Sequence, residues 1–366
     1  MEYSELLHCL CLKNTAGIGN ILANRLLYHF KSAKNIFEAK DSDFEKISGI
    51  GINHIKNIRN SYTKINNYAS EIDYILENSI QANTIFNTNY SKLLAEIPDS
   101  PITYFSKGNF NLNEKINISI VGTRKMTSYG KQIIEEIIEF LSQYNINIIS
   151  GLAYGVDIAA HKFCIEKGVP TVAVLAHGFK HLYPASHKKY LKSIMENGGI
   201  ITEYTSETLP IKENFLQRNR IIAGLSPVTI VIESAFGGGA ITTANYAFNY
   251  DREIFAVPGK TTDIYSQGCN RLISQNKAQI FNRPEDLIDI IGLNKTIHSQ
   301  IQSKLFLDLN ENEEKIVSIL KENKRMQIDS LSNTLEKPTY QLMNILLELE
   351  FKGIIRPLAG KYFELI

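Results

Sequence analysis

The middle of the chain alternates between short apolar runs and amphipathic stretches. The apolar runs are INISIVG (116–122), INIISG (146–151), TVAVLA (171–176), GIITE (199–203), VTIVIE (228–233), EIFAVPG (253–259) and AQIF (278–281). Helical periodicity fills the gaps at 129–143, 157–167, 187–197, 240–250 and 270–276. Apolar strands separated by helices are typical of a parallel sheet covered on both faces. We therefore predict an α/β fold, with a Rossmann-like doubly wound domain over residues 116–295 that binds ligands at the carboxyl ends of its strands.

The region before this domain divides into a helical part and a polar part. Residues 1–65 contain Gly-Ile-Gly twice, at 17–19 and 49–51, each time before a helical stretch. Such turns leave backbone N–H groups at a helix start, where a phosphate can bind. They predict a helix-hairpin-helix or SAM-like domain, with DNA contact and a purely structural role both open. Residues 66–115 predict a connector that packs on the core, with a short strand at 102–108.

The last region, residues 308–366, has a third pattern. Three helical stretches, NEEKIVSILKEN, QIDSLSNTL and KPTYQLMNILLELEFKG, precede a hairpin pattern, IIRPLAGKYFELI. Three helices followed by a hairpin predict a winged helix. The third helix has cations only near its ends, at Lys337 and Lys352. This distribution favours a protein-interaction or structural role over DNA reading.

Composition narrows the class of protein. The 366 residues carry a net charge of +1, so a nucleic-acid site must be a local basic patch. The amino-terminal sequence lacks the basic and apolar segments of a signal peptide, and no run of about 18 apolar residues predicts a membrane span. The four cysteines form no C-x-x-C pair, which is typical of free thiols. We expect a cytoplasmic protein without membrane contact.

The loops after the first two predicted strands carry groups that bind anions. Gly122 lets the chain leave the first strand sharply, and Thr123 and Arg124 follow near a helix start. Backbone N–H groups, hydroxyls and a guanidinium at such a place are typical of phosphate sites. After the second strand, Gly151 permits close approach of the backbone to a ligand. Asp157 is predicted to be the N-cap of the next helix.

The stretch ENFLQRNRIIAGLS, residues 213–226, places two arginines beside an apolar strand. Cations next to a core need a negative partner, either an internal carboxylate or a bound phosphate. In a helix, Phe215, Arg218 and Ile222 share one face while Arg220 points elsewhere. One arginine can then face a ligand while the other pairs internally, and Phe215 is either core or a stacking platform for a base. The candidate site residues here are Lys212, Phe215, Arg218 and Asn219.

The loop after the fifth predicted strand is a second candidate anion cradle, because glycines and threonines stand at a helix start. Its candidate site residues are Gly238, Gly239 and Thr242. No loop has the G-x-G-x-x-G spacing, so no dinucleotide cofactor is predicted. Three histidines have zinc-protease separations, but Gly178 and Pro184 interrupt any continuous helix between them, so no metal site is predicted. No nucleophile–base pair or carboxylate pair indicates catalysis.

Six segments occur in a fixed order through this central region. They are SIVGTRKMTSYG, SGLAYGVDIAAHKFCIEKGVPTVAVLAHG, YPASHKKYL, NFLQRNRIIAGLS, GGAITTANYAFNYDREIFAVPG and SQGCNRLI. In this order they resemble the DprA family (DNA-processing protein A, also called Smf), and the order of the flanking domains agrees. Two segments depart from the family. FGGGAITTA replaces a turn of the Ser-Gly-Ser-Leu type, and NYDREIF replaces a Gly-Arg pair.

The resemblance implies a non-enzymatic, cytoplasmic protein of natural transformation. Such proteins bind and protect incoming single-stranded DNA, form homodimers through the Rossmann-like domain and help to load the RecA recombinase. The resemblance places the family's basic pocket at Arg124, Lys212, Phe215, Arg218 and Asn219. Two pockets in a dimer would share one strand and raise avidity.

The main alternative is an enzyme. LOG-type nucleotide phosphoribohydrolases share a Rossmann-like fold and a glycine-rich turn, with the motif P-G-G-x-G-T-x-x-E, whose Glu is catalytic. Here Phe236 stands in place of the Pro, and no carboxylate occurs between Ala240 and Tyr250. Without that carboxylate, the group that stabilises the developing oxocarbenium charge is missing.

Overall fold

The computed structural model describes residues 3–292, 309–323, 325–335, 337–352, 354–358 and 361–365. The chain divides into two compact units, residues 1–296 and 297–366. The predicted domain boundaries at 295 and 308 lie outside the described residues. Among the helices of the described ranges, none is both long and apolar enough to cross a bilayer.

The first unit begins with six helices. They are α1 Tyr3–Lys13, α2 Asn20–Phe30, α3 Ala33–Glu38, α4 Asp41–Phe44, α5 Ile52–Tyr62 and α6 Ala69–Glu77. Both Gly-Ile-Gly segments precede a helix, and Gly19 and Gly51 are the N-cap residues of α2 and α5. Gly17 and Gly49 have φ of 78° and 89°, in the region that favours glycine. Buried side chains of α1 to α5 pack into a cluster that includes Leu26, Ile36, Phe44 and Ile58, whereas α6 packs in a second cluster with Phe105.

A nine-stranded sheet forms the centre of the first unit. Its strands are β1 Gln81–Thr84, β2 Thr103–Gly108, β3 Ile116–Val121, β4 Ile146–Ser150, β5 Thr171–Val174, β6 Gly198–Thr202, β7 Val228–Val231, β8 Glu253–Ala256 and β9 Gln279–Ile280. The spatial order is β1-β2-β6-β5-β4-β3-β7-β8-β9. The strands from β3 to β9 are all parallel. The predicted α/β fold with a largely parallel sheet is confirmed.

Residues 66–115 are more than a connector, because they extend this sheet. β1 pairs with β2, and β2 pairs with β6, in both cases antiparallel. The strand predicted at 102–108 corresponds to β2, but β1 was not predicted. Three of its four residues, QANT, are polar, so apolar alternation could not reveal it.

Helices cover both faces of the sheet. They are α7 Lys92–Glu96, α8 Ser128–Leu141, α9 Val156–Lys167, α10 Lys188–Glu196, α11 Lys212–Gly224, α12 Gly239–Asn249, α13 Gln267–Ser274 and α14 Asp286–Ile291. Alternate residues of β3 enter opposite cores: Ile118 and Ile120 pack with α8 and α9, whereas Val121 packs with α11 and α12. β4, β5 and β6 lie on one side of β3, and β7, β8 and β9 lie on the other, so the order in which strands are added to the sheet reverses at β3. A crevice at the carboxyl ends is expected there.

The second unit has the element order expected of a winged helix. Its elements are α15 Glu311–Asn323, β10 Arg325–Gln327, α16 Ile328–Leu335, α17 Thr339–Phe351, β11 Ile355–Leu358 and β12 Tyr362–Leu365. β12 pairs antiparallel with both β10 and β11, so β10 adds a strand to the predicted hairpin. Leu331, Leu342 and Leu346 are fully buried in its core. This arrangement is consistent with the predicted winged helix.

Candidate nucleic-acid interface

A cavity of about 740 Å³ lies at the carboxyl ends of β3, β4 and β7, where the strand order reverses. It is bounded by the loops after these strands and by α11. Nine predicted site residues line it: Gly122, Thr123, Arg124, Lys212, Phe215, Arg218, Asn219, Gly238 and Gly239. Gly151 and Thr242 are not among the lining residues, and Thr243 lines the cavity in place of Thr242. The fold therefore brings distant candidate residues together in one cavity.

The mouth of the cavity combines exposed cations with aromatic rings. The guanidinium carbon of Arg124 lies 5.4 Å from the centroid of the half-buried Phe215 ring. Tyr183 meets the same ring edge-on, with 5.5 Å between centroids. Lys212 is exposed at the start of α11. Within the described part of the chain, neither Arg124 nor Lys212 forms an ion pair, so both charges are open to a ligand.

Helix α11 divides its two arginines as its periodicity predicts. Phe215, Arg218 and Ile222 all line the cavity, whereas Arg220 does not. Arg220 is 2% exposed, pairs with Glu203 and donates from Nη1 to the carbonyl oxygen of Asp99 at 2.8 Å. Burial is the largest single influence and opposes the charge, but the negative charges of Glu203 and Asp99 with the neighbouring tyrosines together raise the pKa of the guanidinium. The prediction that one arginine pairs internally is confirmed for Arg220.

Arg218 lies in the cavity wall, but it is only 4% exposed. Its Nη1 donates to the carbonyl oxygen of Val174 at 2.5 Å, while its Nε has no hydrogen-bond partner. Asp157 is the nearby carboxylate: burial raises its pKa, and the charge of Arg218 opposes that rise. Arg218 therefore lies close to an internal carboxylate, which the sequence pattern did not assign to it.

Gly151 makes room for this buried pair. A Cβ atom at this position would lie 2.1 Å from Nη1 of Arg218 and 2.2 Å from Oδ2 of Asp157. Both distances are so short that any side chain here would displace Arg218 or Asp157. Gly151 thus acts beneath the cavity, by allowing Arg218 to approach the backbone.

The sequence pattern predicted Asp157 as the N-cap of α9, and this prediction is wrong. The N-cap is Gly155, and the helix begins at Val156. Asp157 instead accepts a hydrogen bond from the backbone N–H of Ala153 at 3.3 Å. Its carboxylate lies beside Gly151 and close to Arg218, a position that sequence spacing alone does not reveal.

The turn before α12 is held by side chains from two helices. Asn219 donates from Nδ2 to the carbonyl oxygen of Gly239 at 3.1 Å. Thr243 donates from Oγ1 to the same oxygen at 3.3 Å. Gly238 is the N-cap of α12. Asn219 thus joins α11 to the glycine-rich turn and shapes one wall of the cavity.

The histidine below the cavity is structural. His161 is fully buried, with its ring nitrogens 2.7 Å from Oγ1 of Thr171 and 2.6 Å from the carbonyl oxygen of Gly151. Burial lowers its pKa from 6.5 to about 4. A neutral imidazole therefore supports the loop that carries Gly151.

The sequence analysis did not single out several residues that line the cavity. They include Lys125, Tyr183 and Tyr265. Lys125 follows Arg124 directly, so the predicted basic loop already contained its signal. Tyr183 lies in the loop after β5 and reaches Phe215 only through the fold. No local sequence pattern indicates that contact.

The third helix of the second unit presents a different surface. Tyr340, Met343 and Leu347 are exposed on α17. Glu348 and Glu350 are also exposed on this helix, and Lys352 near its end pairs with Glu313 at 2.6 Å. An apolar and acidic surface is unsuited to phosphate contacts, which favours the cavity as the nucleic-acid site.

Comparison with known families and sequences gives matches over most of the first unit. The family model for DNA recombination-mediator protein A matches residues 81–292. A Protein Smf from Synechocystis is 32% identical over 300 residues, covering 80% of this chain and 74% of the relative. The DNA processing protein DprA of Bacillus subtilis is 36% identical over 214 residues, covering 58% of this chain and 72% of the relative.

Two solved structures share this fold at 29% identity. The DNA processing protein A of Streptococcus pneumoniae aligns with a TM-score of 0.68, over 77% of this chain and 96% of that chain. The DNA processing protein A of Helicobacter pylori aligns with a TM-score of 0.52, over 58% of this chain and 95% of that chain. The second structure was described for its single-stranded DNA binding mode.

Proposed function

Because this chain belongs to the DNA recombination-mediator protein A family, we propose that it binds single-stranded DNA in the cavity at the carboxyl ends of β3, β4 and β7. The observation that carries the proposal is the mouth of that cavity. There the Arg124 guanidinium lies 5.4 Å from the Phe215 ring, beside the exposed Lys212. The single-stranded DNA binding mode described for the Helicobacter pylori relative supports the same ligand class.

Arg124 and Lys212 are the proposed contacts to the backbone phosphates. Both cations are exposed, and neither joins an ion pair among the described residues. The net charge of +1 provides no long-range attraction, so these local charges supply the affinity. Arg218 contributes less directly. It is buried close to Asp157, and it donates a hydrogen bond to the carbonyl oxygen of Val174.

The rings at the mouth supply the contacts to the bases. A base stacks on the Phe215 ring, while Arg124 and Lys212 contact the phosphates of the same strand. Such stacking contributes about 1–3 kcal/mol per base and tolerates any sequence. The half-buried ring is held by Tyr183, at 5.5 Å between centroids, so little conformational entropy is lost on binding.

We further propose that the chain is not an enzyme. Asp157 is the one carboxylate among the described residues that line the cavity, and it faces Arg218. The glycine-rich turn lacks the catalytic Glu of LOG-type phosphoribohydrolases. Glu233, which precedes the turn, accepts hydrogen bonds from the N–H and hydroxyl of Thr127 at the start of α8. Binding without bond cleavage is the function that these contacts favour.

The biological role proposed is that of the family: a cytoplasmic protein of natural transformation that protects incoming single strands and helps to load RecA. Homodimerisation through the Rossmann-like domain belongs to the same proposal. The family's description as a recombination mediator supports the role. A dimer would place two cavities on one strand and so raise avidity. Sedimentation velocity tests the homodimer. RecA strand exchange on single strands coated with this protein tests RecA loading.

The main test is fluorescence-anisotropy binding to a labelled oligo-dT at several salt concentrations, with unlabelled duplex as competitor. The Arg124→Ala, Lys212→Ala double variant removes the two phosphate contacts. We expect its affinity to collapse and its salt slope to fall by about 1.4, because each single-strand phosphate contact contributes about 0.7.

Lys192→Ala is the matched control, because Lys192 is 87% exposed on α10 and does not line the cavity. It should bind like the unaltered protein. Single-strand binding that survives in the double variant would move the site away from this cavity. No binding by the unaltered protein would refute the proposed function itself.

A further inference from the structure

A second cavity, of about 340 Å³, lies next to the first one, between α12 and α13. The two cavities share Gly237, in the turn that precedes α12. The volume of the second cavity is near the lower end of the range for ligand pockets, about 300 Å³, and it suits a single nucleotide. The Gly237 turn thus separates two adjoining spaces on one edge of the sheet.

The second cavity repeats the arrangement found at the mouth of the first. Phe236 is 56% exposed, and the guanidinium carbon of Arg271 lies 5.6 Å from its ring centroid. Arg271 is exposed and, in the described ranges, takes part in no ion pair. An exposed aromatic ring with an unneutralised guanidinium is the same pairing that Phe215 and Arg124 make.

A second cation completes this cavity. Nζ of Lys277 is 3.1 Å from Oδ1 of Asn245 and 5.6 Å from the centroid of the Phe248 ring. These neutral partners fix the ammonium in place but leave its charge unneutralised. No Asp or Glu is among the described residues that line the cavity. A site with two cations and no carboxylate attracts an anion.

We propose that the second cavity is a nucleotide subsite for single-stranded DNA, occupied by the strand after it crosses the Gly237 turn. Phe236 stacks on a base, and Arg271 and Lys277 contact the flanking phosphates. The inference rests on the proposed function, because it extends the same strand beyond the first cavity. A glycine at the crossing keeps side chains out of the path of the strand.

The test compares two labelled oligo-dT lengths, about four and about twelve nucleotides, within the range of single-strand site sizes. The shorter one fills the first cavity, whereas the longer one reaches both. For the Arg271→Ala, Lys277→Ala variant, we expect affinity for the longer oligonucleotide to fall towards that for the shorter one. Its salt slope should decrease by about 1.4, because two phosphate contacts are lost. Binding of the shorter oligonucleotide should not change.

Arg283→Ala is the control, because Arg283 is exposed and bonded to Asp286 at 3.1 Å, away from both cavities. The single variant Arg271→Gln repeats the test. Because Arg271 is exposed, this change should leave the fold intact. Crosslinking of an iodouracil-substituted long oligonucleotide to the peptide that contains Phe236 gives an independent positive result.

The two ways in which the test can fail are distinguishable. Long and short oligonucleotides that bind the double variant like the unaltered protein, without crosslinking at Phe236, would overturn the subsite and leave the proposed function intact. Failure of the unaltered protein to bind either length would overturn both.

Discussion

The mouth of the first cavity and the buried side of α11 both carry cations, but they differ in what neutralises them. On the buried side, Arg220 is 2% exposed and meets Glu203 and Asp99. At the mouth, Arg124 and Lys212 are exposed and have no ion-pair partner among the described residues. A cation neutralised within the fold contributes to stability, whereas one without a partner is available to a ligand.

The largest expected effect tests the buried side. Arg220→Met leaves the buried carboxylate of Glu203 without its partner, so the free energy of unfolding should fall by about 3–5 kcal/mol. Urea unfolding measures the change. Arg124→Met, at the mouth, is the matched control and should change stability by less than about 0.5 kcal/mol. Equal losses in the two variants would contradict the contrast between the two regions.

The next effect concerns the neutral imidazole beneath the cavity. Burial lowers the pKa of His161 to about 4, compared with an ordinary 6.5. The unfolded chain therefore binds a proton more readily between these values, and stability should fall as pH decreases from 6.5 to 4. At the acid end the loss approaches about 3 kcal/mol. The free energy of unfolding of His161→Gln, measured at several pH values, should lack this part of the pH dependence. An unchanged dependence would show that His161 does not cause it.

A smaller effect sharpens the description of the mouth. Phe215→Ala should weaken single-strand binding by about 1–3 kcal/mol, because the stacking surface is lost. The salt slope should stay unchanged, since no phosphate contact is removed. Phe215→Tyr keeps a ring and should retain most of the affinity in the same anisotropy assay. A large change of slope in Phe215→Ala would show that the ring acts by positioning Arg124.

The smallest effect isolates one phosphate contact. Lys212→Ala should reduce the salt slope of single-strand binding by about 0.7. Lys212→Arg preserves the charge and should preserve the slope. Anisotropy titrations at several salt concentrations measure both variants. If the slope is the same in Lys212→Ala and in the unaltered protein, Lys212 does not contact a phosphate.

Much of the fold was predictable because its signals are local. The run at 228–233 became β7 Val228–Val231, and the stretch at 129–143 became α8 Ser128–Leu141. Continuous apolar runs identify buried parallel strands regardless of their neighbours. β1 was missed because its polar residues owe their strand conformation to pairing with β2, which depends on tertiary contact.

The site was predictable in part for the same reason. The helical period correctly placed Phe215, Arg218 and Ile222 on one face of α11. Glycines after the strands indicated which loops would meet where the strand order reverses. The contact between Tyr183 and Phe215, and the proximity of Arg218 to Asp157, join segments far apart in sequence. No periodic pattern contains such pairs.

By itself, the sequence determined the local conformation, the face of each helix and the family motifs, because these depend on neighbouring residues. Only the tertiary structure decided which cations remain available. Glu203 and Asp99 reach Arg220 from other parts of the chain, and Asp157 reaches Arg218 beside Gly151. Whether a charge is neutralised depends on distances of a few ångströms between such segments, and these distances exist only after the chain has folded.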